Sequence, residues 1–339
     1  MIQSFPLQIR LMEILRMQTP KNVSLAHRLS QILNVSADGA YRRIRGETAL
    51  TLDEAVLVCR HFEVPLEALN ELISHIVSFR YHPSGKDEEG FFKFIQYFVQ
   101  QLLTIRGFEN RRIVYAAEDI PLFHLYGFNG LTAFKFFYWR KTILNHEPLQ
   151  DQRFEFPQQT DEAMALARKA YELYAEVEST EIWTEETTAS TLKQIAFYWE
   201  AGLFSSQEDA LKLLEELDQM ILRVQRQCDL GLKFRPEGNL SSVPFTCYVS
   251  DLMIGNNCVL VETNGKKTTF LGYNPFHFMS TGSVDFNAQN EQWIQNLMTK
   301  STQISRTAEK TRNQFFKYVL QKNNRLRQQI EGGLTQISR

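Results

Sequence analysis

Three arginines fall within four positions of the segment NVSADGAYRRIRGE, residues 34–47. Arg42, Arg43 and Arg45 directly follow an aromatic residue, Tyr41. Guanidinium groups bind phosphate oxygens and the edges of guanine bases. The pattern leaves two interpretations open: a solvated helix face, or a surface that binds a polyanion.

The charge around this segment is locally positive. Between residues 21 and 45, Lys21 and Arg28 add to the three arginines, and Asp38 is the single acidic residue. Neutralisation of phosphates is a main source of affinity in small DNA-binding modules. The whole chain has a net charge of −2 at pH 7, which argues against a generally basic nucleic-acid coat.

The flanking sequence predicts five short helices that would position these arginines. The first covers residues 4–17 and carries the apolar stripe Leu7, Leu11, Ile14 and Leu15. Ser24 can cap a second helix, whose inward positions are Leu25, Leu29, Ile32 and Leu33.

The third predicted helix carries the arginines and runs from Ala37 to Arg45, ending at Gly46. Thr51 with Glu54 forms a capping box that begins a fourth helix. The expected apolar face of the fourth helix is Leu52, Ala55, Val56, Val58 and Cys59. A fifth helix is predicted within residues 63–76.

Residues 29–46, LSQILNVSADGAYRRIRG, resemble the helix-turn-helix core of the Cro/C1-type, lambda-repressor-like family of DNA-binding regulators. Leu29-Ser30 stands where the family has a Leu-Ala pair, Asn34 is the turn residue, and Val35-Ser36 precedes the recognition helix. The resemblance covers the N-terminal domain alone. It implies that the third helix lies in the major groove of double-stranded DNA.

The resemblance also implies which residues contact DNA. The start of the second helix would approach phosphates, and the third helix would present its exposed face to the bases. Arg43 stands where the family usually buries an aliphatic residue, so a rotated helix is expected, with Ala40 and Ile44 buried and Tyr41 partly inward. The predicted DNA-binding residues are Ser24, Arg28, Ser36, Ala37, Asp38, Tyr41, Arg42, Arg43 and Arg45.

Composition shifts predict the domain organisation. The polar segment YHPSGKDEEG, residues 81–90, carries turn residues and marks a boundary. We predict a DNA-binding domain at 1–78, a linker at 79–90, and a mostly helical sensor or dimerisation region at 91–339. The expected fold class is mainly α, with a five-helix lambda-repressor-like domain and a larger, mostly helical α+β body.

Within the larger region, residues 160–232 are predicted to be helical throughout. Three β-rich runs then predict a small antiparallel β-meander at 245–273, in which Asn264-Gly265 forms a hairpin turn. Two further helices are expected at about 286–300 and 307–330.

Sequence motifs give no support for an enzyme. The seven histidines lack metal-binding spacing, and neither a phosphate-binding glycine loop nor a nucleophile elbow occurs. No catalytic residue, metal or cofactor is predicted. The four cysteines lie in apolar surroundings and are expected to be reduced, packed thiols. The lack of a signal peptide and of a spanning segment predicts a cytoplasmic protein without a membrane partner.

Two other segments admit a functional and a structural interpretation. His277, in YNPFHFMSTGS at residues 273–283, could line a pocket or belong to a strand-to-helix loop pinned by aromatic residues. Residues 300–339 hold nine Lys and Arg against two Asp and Glu. They could bind a phosphate or an acidic helix, or form a solvated helix face.

These observations predict a sequence-specific DNA-binding transcriptional regulator. Two half-sites about 34 Å apart are usual for such modules, so a homodimer is expected. The C-terminal region would dimerise or sense an unidentified small-molecule or protein effector. One alternative is a protein-interaction scaffold, whose binding would be insensitive to salt. The other is an enzyme with a DNA-targeting domain, which loss of function at His277 or Asp285 would favour.

Overall fold

The computed structural model describes residues 5–19, 23–62, 64, 66, 76–81, 88–235, 238–274 and 277–333. The chain divides into two compact units, an N-terminal unit, Met1–Phe79, and a C-terminal unit, Arg80–Arg339. The division falls at the start of the predicted linker. Half of that linker, residues 82–87, lies outside the described residues.

The described part of the N-terminal unit contains four helices: α1 Pro6–Gln18, α2 Leu25–Leu33, α3 Ala37–Arg45 and α4 Leu52–His61. The predicted limits of α3 are confirmed, as are the Ser24 cap of α2 and the capping box of α4. The predicted fifth helix lies almost wholly outside the described residues.

One apolar core holds the four helices of the N-terminal unit together. Leu15, Leu29 and Val58 come from α1, α2 and α4, and each is fully buried in it. Two positions predicted to face the core do not: Leu7 is 49 % exposed and Leu52 is 73 % exposed. Both lie in the first turn of their helices. Helical side chains point toward the N-terminus, so these two extend beyond the edge of the core.

The C-terminal unit is built on a single mixed sheet. Its nine strands, among the described residues, are β1 Arg80–Tyr81, β2 Arg111–Ala116, β3 Glu178–Trp183, β4 Leu232–Phe234, β5 Leu240–Val249, β6 Cys258–Thr263, β7 Lys266–Gly272, β8 Phe278–Thr281 and β9 Thr302–Gln303. Their order is β1-β8-β7-β6-β2-β3-β5-β4, and β9 also pairs with β5. Strands β2, β3 and β5 run parallel to one another, and the remaining pairs are antiparallel.

The helices described in this unit are α5 Glu88–Arg106, α6 Leu122–Leu125, α7 Asn129–Tyr138, α8 Glu162–Ala175, α9 Ala189–Glu200, α10 Gln207–Leu230, α11 Val284–Thr299 and α12 Glu309–Glu331. Helices α6 to α8 connect β2 to β3, and α9 and α10 lie between β3 and β5, because a parallel pair needs a crossover connection. A π-turn, Trp139–Ile143, extends α7. Helices and a mixed sheet together give an α+β fold.

The prediction that residues 160–232 are helical throughout is wrong, because β3 lies within them. Its sequence, ESTEIW, has few apolar residues, yet Ser179, Thr180 and Glu181 are all buried. Hydrogen bonds to Glu181 make this burial tolerable: two come from residues within seven positions and one comes from His124, 57 positions away. The local sequence pattern does not contain the pairing of β3 with the distant strands β2 and β5.

The predicted β-meander at 245–273 is only partly correct. Strand β5 does not pair with β6: β2 and β3 separate the two, and β5 lies parallel to β3. The antiparallel meander is instead β6-β7-β8, and its hairpin turn at Asn264-Gly265 is confirmed by positive φ angles of 47° and 80°. The turn is a local signal, whereas the position of β5 depends on non-local pairing.

The structure bears on the predictions about the cysteines and about membrane-spanning segments. Cys59, Cys228, Cys247 and Cys258 are free and buried, as predicted. Across the described ranges, every helix falls short of the combination of length and apolar character that a bilayer span requires.

Gly130 tests the packing of the C-terminal unit. A β-carbon at this position in α7 would overlap the ring of Phe156 and come within 2.8 Å of the Glu216 carboxylate. Gly130→Ala should therefore lower the free energy of unfolding by about 1–3 kcal/mol, measured by urea denaturation. At Gly282 a β-carbon meets no heavy atom within 4 Å, so Gly282→Ala should stay within about 0.5 kcal/mol of the wild type. Equal stabilities of the two variants would contradict this packing.

Candidate nucleic-acid interface

A tight turn joins α2 to α3. Asn34 adopts the left-handed conformation, with φ 52° and ψ 47°, which asparagine tolerates better than most residues. Its backbone N–H donates to the Ser30 carbonyl. Ser36 then caps α3 by accepting a hydrogen bond from the Gly39 N–H at 3.1 Å. Local hydrogen bonds thus define both ends of the turn.

The rotation of α3 about its own axis decides which side chains reach the surface. Ala40 and Ile44, one helical turn apart, are buried in the core at 0 % and 9 % exposure. This confirms the expected burial of both residues. Tyr41 was expected to turn partly inward, but its side chain is 49 % exposed.

Gln8 of α1 fixes the segment that follows α3. Its side-chain amide donates to the carbonyl oxygens of Arg43 and Thr48, each at 2.8 Å. Its carbonyl oxygen accepts from the Leu50 N–H, also at 2.8 Å. The side chain is 9 % exposed. One buried amide therefore joins α1, the end of α3 and the loop before α4.

Arg43 connects α3 to α4 and does not lie on the exposed face. Its Nε and Nη2 bind both oxygens of Glu54, at 3.2 and 2.7 Å, and its side chain is 15 % exposed. Glu54 also accepts from the Thr51 N–H at 3.0 Å, completing the capping box of α4. The hydrogen bond from Arg43 holds the pKa of Glu54 below its usual value, although burial opposes the shift. Arg43 is therefore set apart from the other predicted DNA contacts.

The other predicted residues of α3 share one exposed face. They are Ser36, Ala37, Asp38, Tyr41, Arg42 and Arg45. Arg42 pairs with Asp38 at 3.0 Å, and Arg45 pairs with Glu47 at 2.6 Å. The four side chains in these pairs are between 50 % and 71 % exposed. Solvent screens exposed pairs of this kind, so they hold their side chains only weakly.

The start of α2 carries the remaining two predicted residues. Ser24 is exposed and accepts from the His27 N–H at 3.3 Å. Arg28 is partly exposed, and its guanidinium lies 6.0 Å from the centre of the Phe62 ring. The first amides of a helix attract anions. The structure thus leaves α2 with an accessible N-terminal turn.

Sequence reasoning missed the acidic partners of the arginines. Glu47 and Glu54 lie beyond the stretch 21–45 over which the positive charge was counted, yet they pair with Arg45 and Arg43. The capping-box motif indicates one use of the Glu54 carboxylate, and the ion pair with Arg43 is a second use. The surface around α3 is therefore less positive than the sequence count indicated.

The C-terminal unit holds a buried charge network that sequence reasoning also missed. Glu181 of β3 is fully buried and accepts from His124 Nε2 at 2.8 Å, Trp183 Nε1 at 2.7 Å and the Tyr174 hydroxyl. Burial raises the pKa of Glu181, but these donors outweigh burial and the net shift is downward. The donors come from α6, β3 and α8, and all are buried. The network therefore joins elements within the core.

A second buried network lies where β2 and β3 end. Lys135 of α7 is 1 % exposed; its Nζ donates to Gln194 at 2.8 Å and lies 3.7 Å from the Asp119 carboxylate. Asp119 also accepts from the Ser190 hydroxyl at 3.1 Å. Burial lowers the pKa of Lys135, and Asp119 opposes that shift. Because each group binds another member, the network joins α7 and α9 to the loop after β2.

His277 and the basic C-terminal segment are engaged in packing. The His277 ring contacts Phe94 edge-on, and its Nδ1 lies 2.9 Å from the Asn274 amide nitrogen. Arg312 pairs with Asp229 at 2.6 Å and donates to the Ile304 carbonyl. Within the described part of the chain, no cluster of three His, Cys, Asp or Glu residues could hold a metal ion.

Comparison with known proteins returned no match among family models, curated proteins or solved structures. The likeness to the lambda-repressor-like family therefore depends on the residues quoted above. What the structure contributes is a pair of short helices with a capped turn between them, and a second helix with one buried and one exposed face.

Glu54→Gln tests the link between α3 and α4. Glutamine can still complete the capping box, so the variant removes the charge that binds Arg43. We expect the unfolding free energy of the N-terminal unit to fall by about 1.5 kcal/mol. Thermal denaturation at pH 7 measures this loss. Glu47→Gln removes the exposed pair with Arg45, which solvent screens, and should leave the thermal unfolding midpoint unchanged. If Glu47→Gln destabilises the unit more than Glu54→Gln does, the exposed pair contributes more to stability than the pair between α3 and α4, which would contradict this account.

Glu181→Gln tests the buried network. Removing one partner of a buried charged network costs about 3–5 kcal/mol, and the loss should be present at pH 7. Because the pKa of Glu181 is lowered in the folded protein, its contribution disappears as the pH falls through that lowered pKa. Chemical denaturation at a series of pH values from 7 to 3 should therefore show a decreasing difference in unfolding free energy between the wild type and Glu181→Gln. Glu178→Gln, at an exposed position of the same strand, should show neither effect; a pH-independent loss in Glu181→Gln would contradict the assignment.

Proposed function

We propose that the chain is a sequence-specific DNA-binding transcriptional regulator and that α3 is its recognition helix. One observation carries the proposal. Ala40, Ile44 and Arg43 hold α3 against the N-terminal unit, while Tyr41, Arg42 and Arg45 stay on the opposite, exposed side. A helix held this way keeps its aromatic and cationic side chains in one fixed arrangement.

The dimensions of α3 fit the proposed role. It has nine residues, which corresponds to about 14 Å at ~1.5 Å per residue. The major groove of B-DNA is about 12 Å wide and admits one α-helix. Ser36 and Ala37 at the start of α3 would approach base edges, and Ser24 and Arg28 at the start of α2 would approach phosphates.

The exposed ion pairs supply an electrostatic mechanism for binding. In the absence of DNA, Asp38 and Glu47 occupy one edge of the guanidinium groups of Arg42 and Arg45. A DNA phosphate carries one negative charge, as a carboxylate does, and it likewise accepts bidentate hydrogen bonds from guanidinium. The gain on binding would come from the counterions that Arg42 and Arg45 displace from the duplex, so affinity would fall steeply as salt rises.

A homodimer follows from the small size of the proposed contact. One helix-turn-helix unit covers a single half-site, and two half-sites about 34 Å apart are the usual arrangement. The C-terminal unit would supply dimerisation, effector sensing or both. A cytoplasmic location accords with this function.

The same two ion pairs favour a second candidate, a protein-interaction scaffold. Asp38 and Glu47 balance Arg42 and Arg45 in charge, so the exposed face could suit a protein partner of mixed charge. The two functions differ in their ligand. The experiment below distinguishes them because a scaffold enriches no DNA sequence.

Selection of duplexes from a random pool with the full-length chain tests the proposed function. We expect an inverted repeat whose half-site centres lie about 34 Å apart. Arg42→Ala with Arg45→Ala should lower affinity for the selected duplex at least tenfold, since each arginine contact is worth about 1–3 kcal/mol. Because both side chains are exposed, the thermal unfolding midpoint should not change.

Arg16→Ala with Arg60→Ala is the matched control, since it removes two exposed arginines from α1 and α4. It should retain most of the affinity for the selected duplex. The absence of any enriched sequence with a folded chain would contradict DNA recognition. Equal losses in the two double variants would show that net charge matters and the face of α3 does not.

A further inference from the structure

The C-terminal unit contains a cavity between α5 and the sheet. Side chains of α5, α6, β2, β6, β7 and β8 line it, and its volume is about 80 Å³. Helix α5 contributes Phe94 and Phe98, and β6 contributes Val259 and Val261. Folded cores contain few voids larger than a water molecule, so a cavity of this size needs an explanation.

The lining determines which molecules the cavity can accept. Among the described residues that line it, none carries a charge, and aromatic and aliphatic side chains predominate. Gln101, Tyr115 and Ser280 add a small number of hydrogen-bonding groups. A charged ligand would lose its hydration without a compensating partner, whereas an apolar ligand would gain contacts.

Aromatic contacts connect the cavity walls to the core behind them. Phe98 stacks on Phe123 with ring centres 5.5 Å apart, and Phe123 stacks on Tyr174 at 4.0 Å. Tyr174 donates to the buried Glu181. A wall connected in this way to the buried network cannot collapse easily into the empty space, so the cavity is preformed. Preformed apolar cavities with a few polar groups are typical of small-molecule sites.

We propose that this cavity binds a small uncharged molecule with an apolar body, such as one aromatic ring or a short alkyl chain. A dry cavity of about 150 Å³ accepts benzene. A ring in this smaller cavity would also use the side that is open to solvent. The proposal does not depend on DNA binding by the N-terminal unit, and its failure would leave that function untouched.

Titration of the full chain with benzyl alcohol, followed by the methyl NMR signals of Leu and Val, tests the proposal. We expect saturable shifts at Leu102, Val259 and Val261, all of which line the cavity. Benzoate carries the same ring with a negative charge and should bind at least tenfold more weakly. Shifts confined to other methyl groups, the absence of saturable shifts, or equal binding of benzoate would each overturn the proposal.

A pair of variants on β6 locates the site. Val261→Phe fills the cavity and should abolish benzyl alcohol binding. Leu260→Phe adds bulk at the next position, whose side chain packs in a separate cluster with Val114 and Ile182, and should keep binding within threefold of the wild type. Far-UV circular dichroism verifies that each variant folds. If Val261→Phe does not fold, the methyl shifts of the wild type alone test the proposal. Undiminished binding by folded Val261→Phe would place the site elsewhere and overturn the proposal.

Discussion

The ion pair between Arg43 and Glu54 determines what the N-terminal unit can present. The carboxylate of Glu54 caps α4 and, at the same time, binds two nitrogens of the guanidinium on α3. This contact fixes the rotation of α3 together with the burial of Ala40 and Ile44. With the rotation fixed, Arg42 and Arg45 must face solvent. One arginine of the cluster therefore has a structural role, and it lets the other two form a surface.

The C-terminal unit also depends on one carboxylate that binds several donors, and there the carboxylate is fully buried. Glu181 is a fully buried carboxylate whose donors come from α6, β3 and α8. Tyr174, one of those donors, also stacks on Phe123, which lines the cavity under α5. A buried charge must be satisfied or the fold is lost. The network therefore constrains the shape of the cavity through Phe123.

Local signals in the sequence predicted local structure well. The Ser24 cap, the limits of α3, the capping box of α4 and the Asn264-Gly265 hairpin depend on residues within a few positions of one another. Strand β3 was missed because it has few apolar residues and its pairing partners β2 and β5 are distant in sequence, and β5 was misplaced because its partner β3 is distant in sequence. The role of Arg43 was missed for the same reason, since Glu54 lies eleven positions away. Non-local pairing marks the limit of sequence reasoning in each case.

The salt dependence of binding tests the central claim most directly, namely that Arg42 and Arg45 form a surface that contacts DNA. The measured quantity is the slope of log affinity against log salt concentration for a selected duplex. If both arginines meet phosphates, the double alanine variant should have a shallower slope than the wild type, by about 0.9 for each phosphate that it no longer neutralises. Identical slopes for the two proteins would contradict the claim, because the arginines would then neutralise no phosphate.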